Sequence, residues 1–257
     1  MSAWPAAGAT MAASPEQGSD LIVDEGRGAT TSETDRDPDE DRQVGVGPHP
    51  RPWPDDARLD PVLLSGGDRR NVADRYRYWS NEAIVADLDS RRHGFHVAIE
   101  NWQHDLNIGT VIRTANAFNA SGVHVVGRRR FNRRGAMVTD RYLHLHHHDT
   151  FAGLLAWAGD RDLPVVGIDI IPGSVPLESV ALPERCVLLF GQEGPGLTEE
   201  ACAAAEVVCS ITQYGSTRSI NAGVAAGIAM HSWIRQHGAA DPTVGGADSA
   251  QASPATS

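Results

Sequence analysis

Three short segments carry side chains whose types and spacing could do chemistry. In NIGTVIRTANAF (107–118), the amide of Asn107 stands at the start of a helical pattern, as a plausible N-cap, and Arg113 follows six residues later. Arg113 has Ile112, Thr114, Ala115 and Ala117 around it and no acid. In LLFGQEGPGL (188–197), an apolar run breaks into Gly191, Gly194 and Gly196, with Glu193 between them and no lysine. A glycine loop between a strand and a helix commonly holds phosphate. Glu193 would repel phosphate, so the loop suits a ligand that is neutral or cationic where it meets the protein. In ITQYGSTRSINAG (211–223), Ser219 and Asn221 open the last helical stretch. Each segment alone has a plain structural reading. Arg113 can be a solvent-facing charge, the glycines a tight turn needing positive φ, and Ser219 a helix cap.

Two further clusters bear on partners. RRRFNRR (128–134) sets Arg128, Arg129, Arg130, Arg133 and Arg134 around Phe131 with no acid in the run. Basic charge beside an aromatic suits phosphate contact and base stacking, so RNA contact is favoured there over a merely solvated loop. His144, His146 and His148 would share one face of an extended segment. No fourth ligand with familiar spacing accompanies them, so no metal site is expected, and the segment reads as a polar loop or an RNA-facing strand.

These residues need a frame to hold them. From Phe95 the pattern alternates between strand and helix: strands at 95–100, 122–127, 164–170, 186–190 and 206–211, helices at 107–120, 151–158, 198–205 and 219–235. Val224, Ile228 and Trp233 are expected to face inward on the last helix. Such alternation predicts an α/β fold with a parallel sheet flanked by helices, binding its ligand at the carboxyl ends of the strands. Residues 1–50 hold ten acids against three bases, a net of −7, and few large apolar groups, so they read as a disordered acidic tail. Residues 51–94 read as a helical N-terminal extension, with Arg69–Arg70 and Arg91–Arg92 as solvated charge or an accessory RNA contact. Residues 95–237 form the α/β domain, and 238–257 a second disordered tail. The formal charge of −11 is therefore mostly in the tails. No apolar run approaches the roughly 18 residues of a membrane span. The first residues lack the features of a secretory signal. Cys186, Cys202 and Cys209 are odd in number without a CxxC pair, so they read as reduced thiols of a cytoplasmic protein. The absence of GxGxxG between the first strand and its helix disfavours a nicotinamide-dependent oxidoreductase.

Taken together, the three segments resemble the motifs of the SpoU/TrmH-type RNA 2′-O-ribose methyltransferases of the SPOUT class. An Asn followed six residues later by an Arg precedes a Gly-Val strand, here Asn107, Arg113 and GVHVVG. An apolar strand runs into G-x-E-x-x-G, and Ser219-Ile220-Asn221 stands where the family has Ser-Leu-Asn. Gly223 replaces a Ser or Thr that the family often carries. The resemblance covers roughly 95–236. It implies a C-terminal deep trefoil knot, a homodimer, and S-adenosyl-L-methionine held largely by backbone groups. Gly191, Ile211 and Ile220, with Leu189, Phe190 and Gly196, should line the cofactor. Asn107, Arg113, Glu193, Ser219 and Asn221 should form the catalytic cluster, Arg113 acting as proton acceptor or as a phosphate clamp and Glu193 orienting it. The expected reaction is methylation of a ribose 2′-hydroxyl in tRNA or rRNA, with neither DNA nor membrane as partner. The alternative is a catalytically silent RNA-binding module on the same fold.

Overall fold

The computed structural model describes residues 45–101, 107–128, 136, 139–192 and 194–238. In chain order the elements are α1 (Pro61–Gly66), α2 (Asn81–Asp89), β1 (His93–Asn101), α3 (Ile108–Ala117), β2 (Ala120–Gly127), β3 (Leu145–His148), α4 (Phe151–Gly159), β4 (Val165–Ile168), β5 (Val175–Pro176), β6 (Cys186–Phe190), α5 (Glu199–Ala204), β7 (Val207–Ser210) and α6 (Ala222–His237). The seven strands form one sheet in the order β3-β2-β1-β6-β4-β7-β5, and every pairing is parallel. The chain winds outward from β1 to β3, then re-enters on the other side of β1. Ligands in open parallel sheets bind at carboxyl ends near such a reversal.

The central strands β4 and β6 are apolar throughout because both faces are covered. CVLLF of β6 is buried at all five positions. On one face, α3 and α6 pack over Phe95, Val97, Leu188 and Phe190. On the other, Phe151 and Leu154 of α4 and Ala201 of α5 cover Ala98, Val187 and Leu189. In α3 the buried residues Ile108, Val111, Ile112 and Ala115 fall at helical spacing. Trp233 of α6 is buried against Phe95, with ring centroids 4.7 Å apart, and its Nε1–H donates to Pro183 O at 3.0 Å. Truncation of such a residue typically costs about 3–5 kcal/mol.

The face that α6 buries differs from the sequence expectation. Val224 and Ile228 are 54% and 38% exposed, and of the three expected inward residues only Trp233 is buried. The inward positions are Gly223, Ala226, Ala229, Met230 and Trp233. Close approach of α3 selects small residues there: a Cβ on Gly223 would stand 3.1 Å from Thr110 Cγ2. The helix also starts at Ala222, with Asn221 rather than Ser219 as its cap.

Before β1, the extension is organised by a buried acid. Asp68 accepts from Arg70 Nε and Nη2 and from the Tyr78 N–H at 2.7–3.0 Å. Burial alone would raise this carboxyl, but the bonds from Arg70 and Tyr78 outweigh it and hold it down to about 2. Val46 bridges Asp68 through two backbone hydrogen bonds of 2.9 Å, tying this segment to the extension. One arginine of each predicted surface pair turns inward. Arg70 clamps Asp68, and Arg92 donates to Ala120 O and Tyr142 O. Their backbone and carboxylate partners leave Arg69 and Arg91 as the more solvent-facing members.

Candidate active site

The carboxyl ends of β4, β6 and β7 open into a cavity of about 700 Å3, within the roughly 300–1,000 Å3 range of small-molecule sites. Ile168, Phe190, Ile211 and Ile220 give it apolar walls, and Gly191 and Gly196 contribute backbone. One carboxylate, Asp169, and one guanidinium, Arg218, line it among the described residues. Leu189 does not reach it. That side chain is fully buried beneath α4 and α5, because alternate strand residues face opposite sides of the sheet.

The loop after β6 is a closed hairpin. Gln192 and Gly196 exchange backbone hydrogen bonds of 3.1 Å in both directions. A Cβ on Gly191 would run into the backbone of Gly196 and Leu197, so only glycine fits there. At Gly196, φ is +75° and an added Cβ would strike the Asp169 carboxylate. That carboxylate accepts from Leu197 N–H at 2.8 Å and Ile170 N–H at 2.6 Å, tying the end of β4 to the hairpin. Leu197 leads into Thr198, the cap of α5. Thr198 N–H and Oγ1–H donate to the two oxygens of buried Glu100 at 2.9 and 2.7 Å. The end of β1 and the start of α5 are thereby fixed to each other.

A second junction joins the other two motifs. Asn221 Nδ2–H donates to Asn107 Oδ1 at 2.9 Å across 114 residues of chain. Asn221 Oδ1 accepts from Gly223 N–H and Val224 N–H, capping α6. Asn107 occupies the cap position of α3 without capping it, since its side chain makes no bond to that helix's own backbone. Its amide is engaged by Asn221 instead. Ser219 lines the cavity and is exposed, and Arg113 is exposed on α3, away from the cavity lining. Glu193 lies outside the described residues, and so do Arg129, Arg130, Arg133 and Arg134. Arg128 is exposed at the carboxyl end of β2, where its backbone pairs with Asn101.

The histidine segment, expected as a polar loop or an RNA-facing strand, is in part a strand, with His144 and His146 exposed. His146 and His148 lie on β3, the edge strand, and turn toward His124 and Trp157. His144 bonds Asp89 at 2.8 Å. Among the described residues no group of three or more His, Cys, Asp or Glu is placed to hold a metal. All three cysteines are free, and burial pushes Cys186 up to about 12, which keeps it a thiol. Asp169, Gln192, Gln213 and Arg218 were not singled out by sequence. Each is one polar residue beside a glycine or an apolar strand end, a position also typical of ordinary loops.

The architecture and the cavity define a class, a parallel α/β protein with a glycine-hairpin ligand site, and comparison with known proteins places it. Residues 94–231 match the SpoU rRNA Methylase family. The chain belongs to that family. An uncharacterised tRNA/rRNA methyltransferase of Mycobacterium ulcerans is 30% identical over 167 residues, 63% of this chain and 53% of that protein. The chain thus spans about half the length of the curated relatives it matches. The crystal structure of the SpoU methyltransferase AviRb from Streptomyces viridochromogenes, in complex with AdoMet, aligns at a TM-score of 0.52 and 25% identity, covering 58% of this chain and 60% of that one. A structure concerned with 2-OH methylation of C/U34 on tRNA aligns at 0.51 and 29% identity, covering 56% of this chain and 96% of that one. Among the described residues no helix is long and apolar enough to cross a membrane.

Proposed function

We propose that this chain is an S-adenosyl-L-methionine-dependent RNA methyltransferase acting on a ribose 2′-hydroxyl of tRNA or rRNA, with residues 95–237 as the methyltransferase domain. The observation that carries the reading is the Asn107–Asn221 bond, which joins the first motif to the third beside a cavity lined by the second and third. The cavity's donor set fits the cofactor: apolar walls for a purine and a thioether-like chain, backbone from Gly191 and Gly196, and a carboxylate at Asp169 for a cationic ligand. When bound, the cofactor supplies a methyl group on sulfonium.

The protein's own residues then have distinct tasks. Gly191 and Gly196 let the hairpin backbone approach the ligand, and Phe190, Ile211 and Ile220 exclude water around it. Asn107 and Asn221 set the starts of α3 and α6. Exposed Arg113 grips the RNA phosphate beside the target ribose in a bidentate fork, bringing the 2′-oxygen into line. Ser219 and Glu193 complete the polar cluster, Glu193 as the orienting partner of Arg113. Arg128, Arg129, Arg130, Arg133 and Arg134 extend the basic surface along the RNA. A C-terminal trefoil knot is supported by the loops at 191–197 and 211–221 sharing one cavity, with α6 packed back on β4, β6 and α3. A homodimer is supported by the apolar pair Val224 and Ile228, left exposed on α6. A cytoplasmic site of action fits three free thiols.

The test is incubation of the purified full chain with cellular RNA and methyl-labelled S-adenosyl-L-methionine. Label should appear at alkali-resistant 2′-O-methyl nucleotides, and mapping them separates tRNA from rRNA. Arg113→Ala should reduce transfer to background with an unchanged melting temperature, because the side chain is exposed. Retained transfer in that variant would remove Arg113 from the site. Cofactor binding without transfer to any RNA would favour a silent RNA-binding module.

A further inference from the structure

Three amide atoms at the cavity are closed off from solvent and have no hydrogen-bond partner: Gln192 Oε1 and both Oε1 and Nε2 of Gln213. A buried amide left unmatched costs about 1–3 kcal/mol, and folded proteins leave few such groups without a reason. Here they come from two separate loops, after β6 and after β7, and converge on one cavity. Arg218 and Ser219 on the lining are exposed to solvent, whereas other polar groups around the site are matched within the protein. Asp169, Glu100 and Asn221 all have backbone donors or acceptors. Asn116 Oδ1 on α3 is also enclosed without a partner, but among the described residues of the cavity lining the enclosed unmatched atoms belong to these two glutamines.

The chemistry of the vacant groups specifies a partner. Gln213 offers an acceptor and a donor side by side in one plane. Its complement is a planar edge with a donor next to an acceptor. Ile168, Phe190, Ile211 and Ile220 supply apolar surface for the faces of a flat ring. Adenine, the base of the proposed cofactor, is such a ring, with an exocyclic amino group beside a ring nitrogen. Glutamine pairs with adenine in two parallel hydrogen bonds in nucleic-acid recognition, and the amide can turn over to suit either edge. We propose that the Gln213 side chain reads the adenine edge of the cofactor, with Gln192 Oε1 accepting from a further donor on the same ligand. The inference rests on the proposed function and deepens it. The family resemblance assigns cofactor contacts mostly to backbone groups, whereas this chain adds a side chain that specifies the base. A site with buried groups built to hydrogen-bond a ligand rejects an analogue that leaves them unmatched.

The experiment is a cycle between residue and ligand. The full chain and Gln213→Met are titrated calorimetrically with S-adenosylhomocysteine and with its analogue lacking the 6-amino group. The wild-type chain should bind S-adenosylhomocysteine about tenfold more tightly than the analogue. Gln213→Met should lose that preference, binding both ligands about as the wild type binds the analogue. Gln213→Glu, which can accept from the amino group but cannot donate, should keep part of the preference, and it decides the matter if the methionine variant does not fold. Equal losses for both ligands in the folded variants, or no loss for either, would overturn the role of Gln213 while leaving the proposed function intact. A wild-type chain that binds neither ligand would overturn both.

Discussion

At the β3 edge of the sheet, His124 uses both ring nitrogens on other histidines, whereas at the ends of β6 and β7 Gln192 and Gln213 hold amide atoms that meet nothing. His124 is fully buried, with Nδ1 2.9 Å from His148 Nε2 and Nε2 3.2 Å from His96 Nδ1. Trp157 covers the group, its ring centroid 4.1 Å from that of His124. A neutral imidazole carries one N–H and one acceptor, so three neutral rings form a chain in which each bond has a donor and an acceptor. That network is complete without a ligand. The glutamines are less buried as residues, Gln213 only half-buried, yet their enclosed amide atoms are incomplete. Buried polarity that the protein itself matches needs no ligand, whereas unmatched amides from two loops on one cavity are what the proposed ligand would complete.

The sharpest way to break this comparison is to disable one region and watch the other. Gly191→Ala should abolish S-adenosylhomocysteine binding, a loss above about 100-fold by calorimetry, because its Cβ would displace the hairpin backbone. His124→Ala should leave that affinity nearly unchanged. Its effect should be on stability, about 2–4 kcal/mol by urea denaturation, from lost packing and two stranded histidine partners. Gln213→Met should cost almost nothing by the same measurement, since no internal bond is lost. A loss above about 2 kcal/mol for Gln213→Met would erase the distinction.

Acid should separate the regions further. Burial, reinforced by neighbouring histidines, holds His96 down to about 4 and His124 down to about 2. His146 and His148 are also lowered, chiefly by burial. A depressed histidine pKa means that the unfolded chain takes up protons more readily than the folded one. The stability is then fully present above the ordinary pKa near 6.5 and is lost as pH falls from 6.5 toward 4. For His96 alone the loss by pH 4 is about 3 kcal/mol as an upper bound. Urea midpoints measured from pH 7.5 to 4.5 should fall steeply in the wild type and less in His124→Phe, where the histidine chain is interrupted. A modest effect is expected at the motif junction: a double-mutant cycle of Asn107→Ala and Asn221→Ala should give a coupling of about 1 kcal/mol in urea.

The sheet's centre was legible in the sequence because short apolar runs there stand between turn residues, as CVLLF does before Gly191. The edge strand was not, because LHHH carries a strand's alternation only when other histidines supply the facing surface. The buried face of α6 was hidden for a related reason. Hydropathy points to Val224 and Ile228, but the closeness of α3 demands Gly223 and Ala226. The motifs grouped Asn107 with Asn221 through resemblance alone, since no local spacing links positions 114 residues apart. Arg70 and Arg92 read as surface charge because Asp68, Tyr142 and Ala120, which receive them, come close only in the fold. Asp169 and Gln213 went unnoticed because a lone polar residue after an apolar strand is ordinary until the cavity around it is seen.

The Asn107–Asn221 bond also works as the pivot of a lever. Arg113 lies six residues beyond Asn107, and at 1.5 Å of rise per residue that is about 9 Å along α3. A tilt of 5° about the pivot would carry the arginine's backbone roughly 0.8 Å sideways, and misplacement by about 1 Å can cost a reaction 100-fold. One amide contact, holding the starts of two helices together less than two helical turns from Arg113, would thus set how accurately the guanidinium is aimed in the proposed reaction.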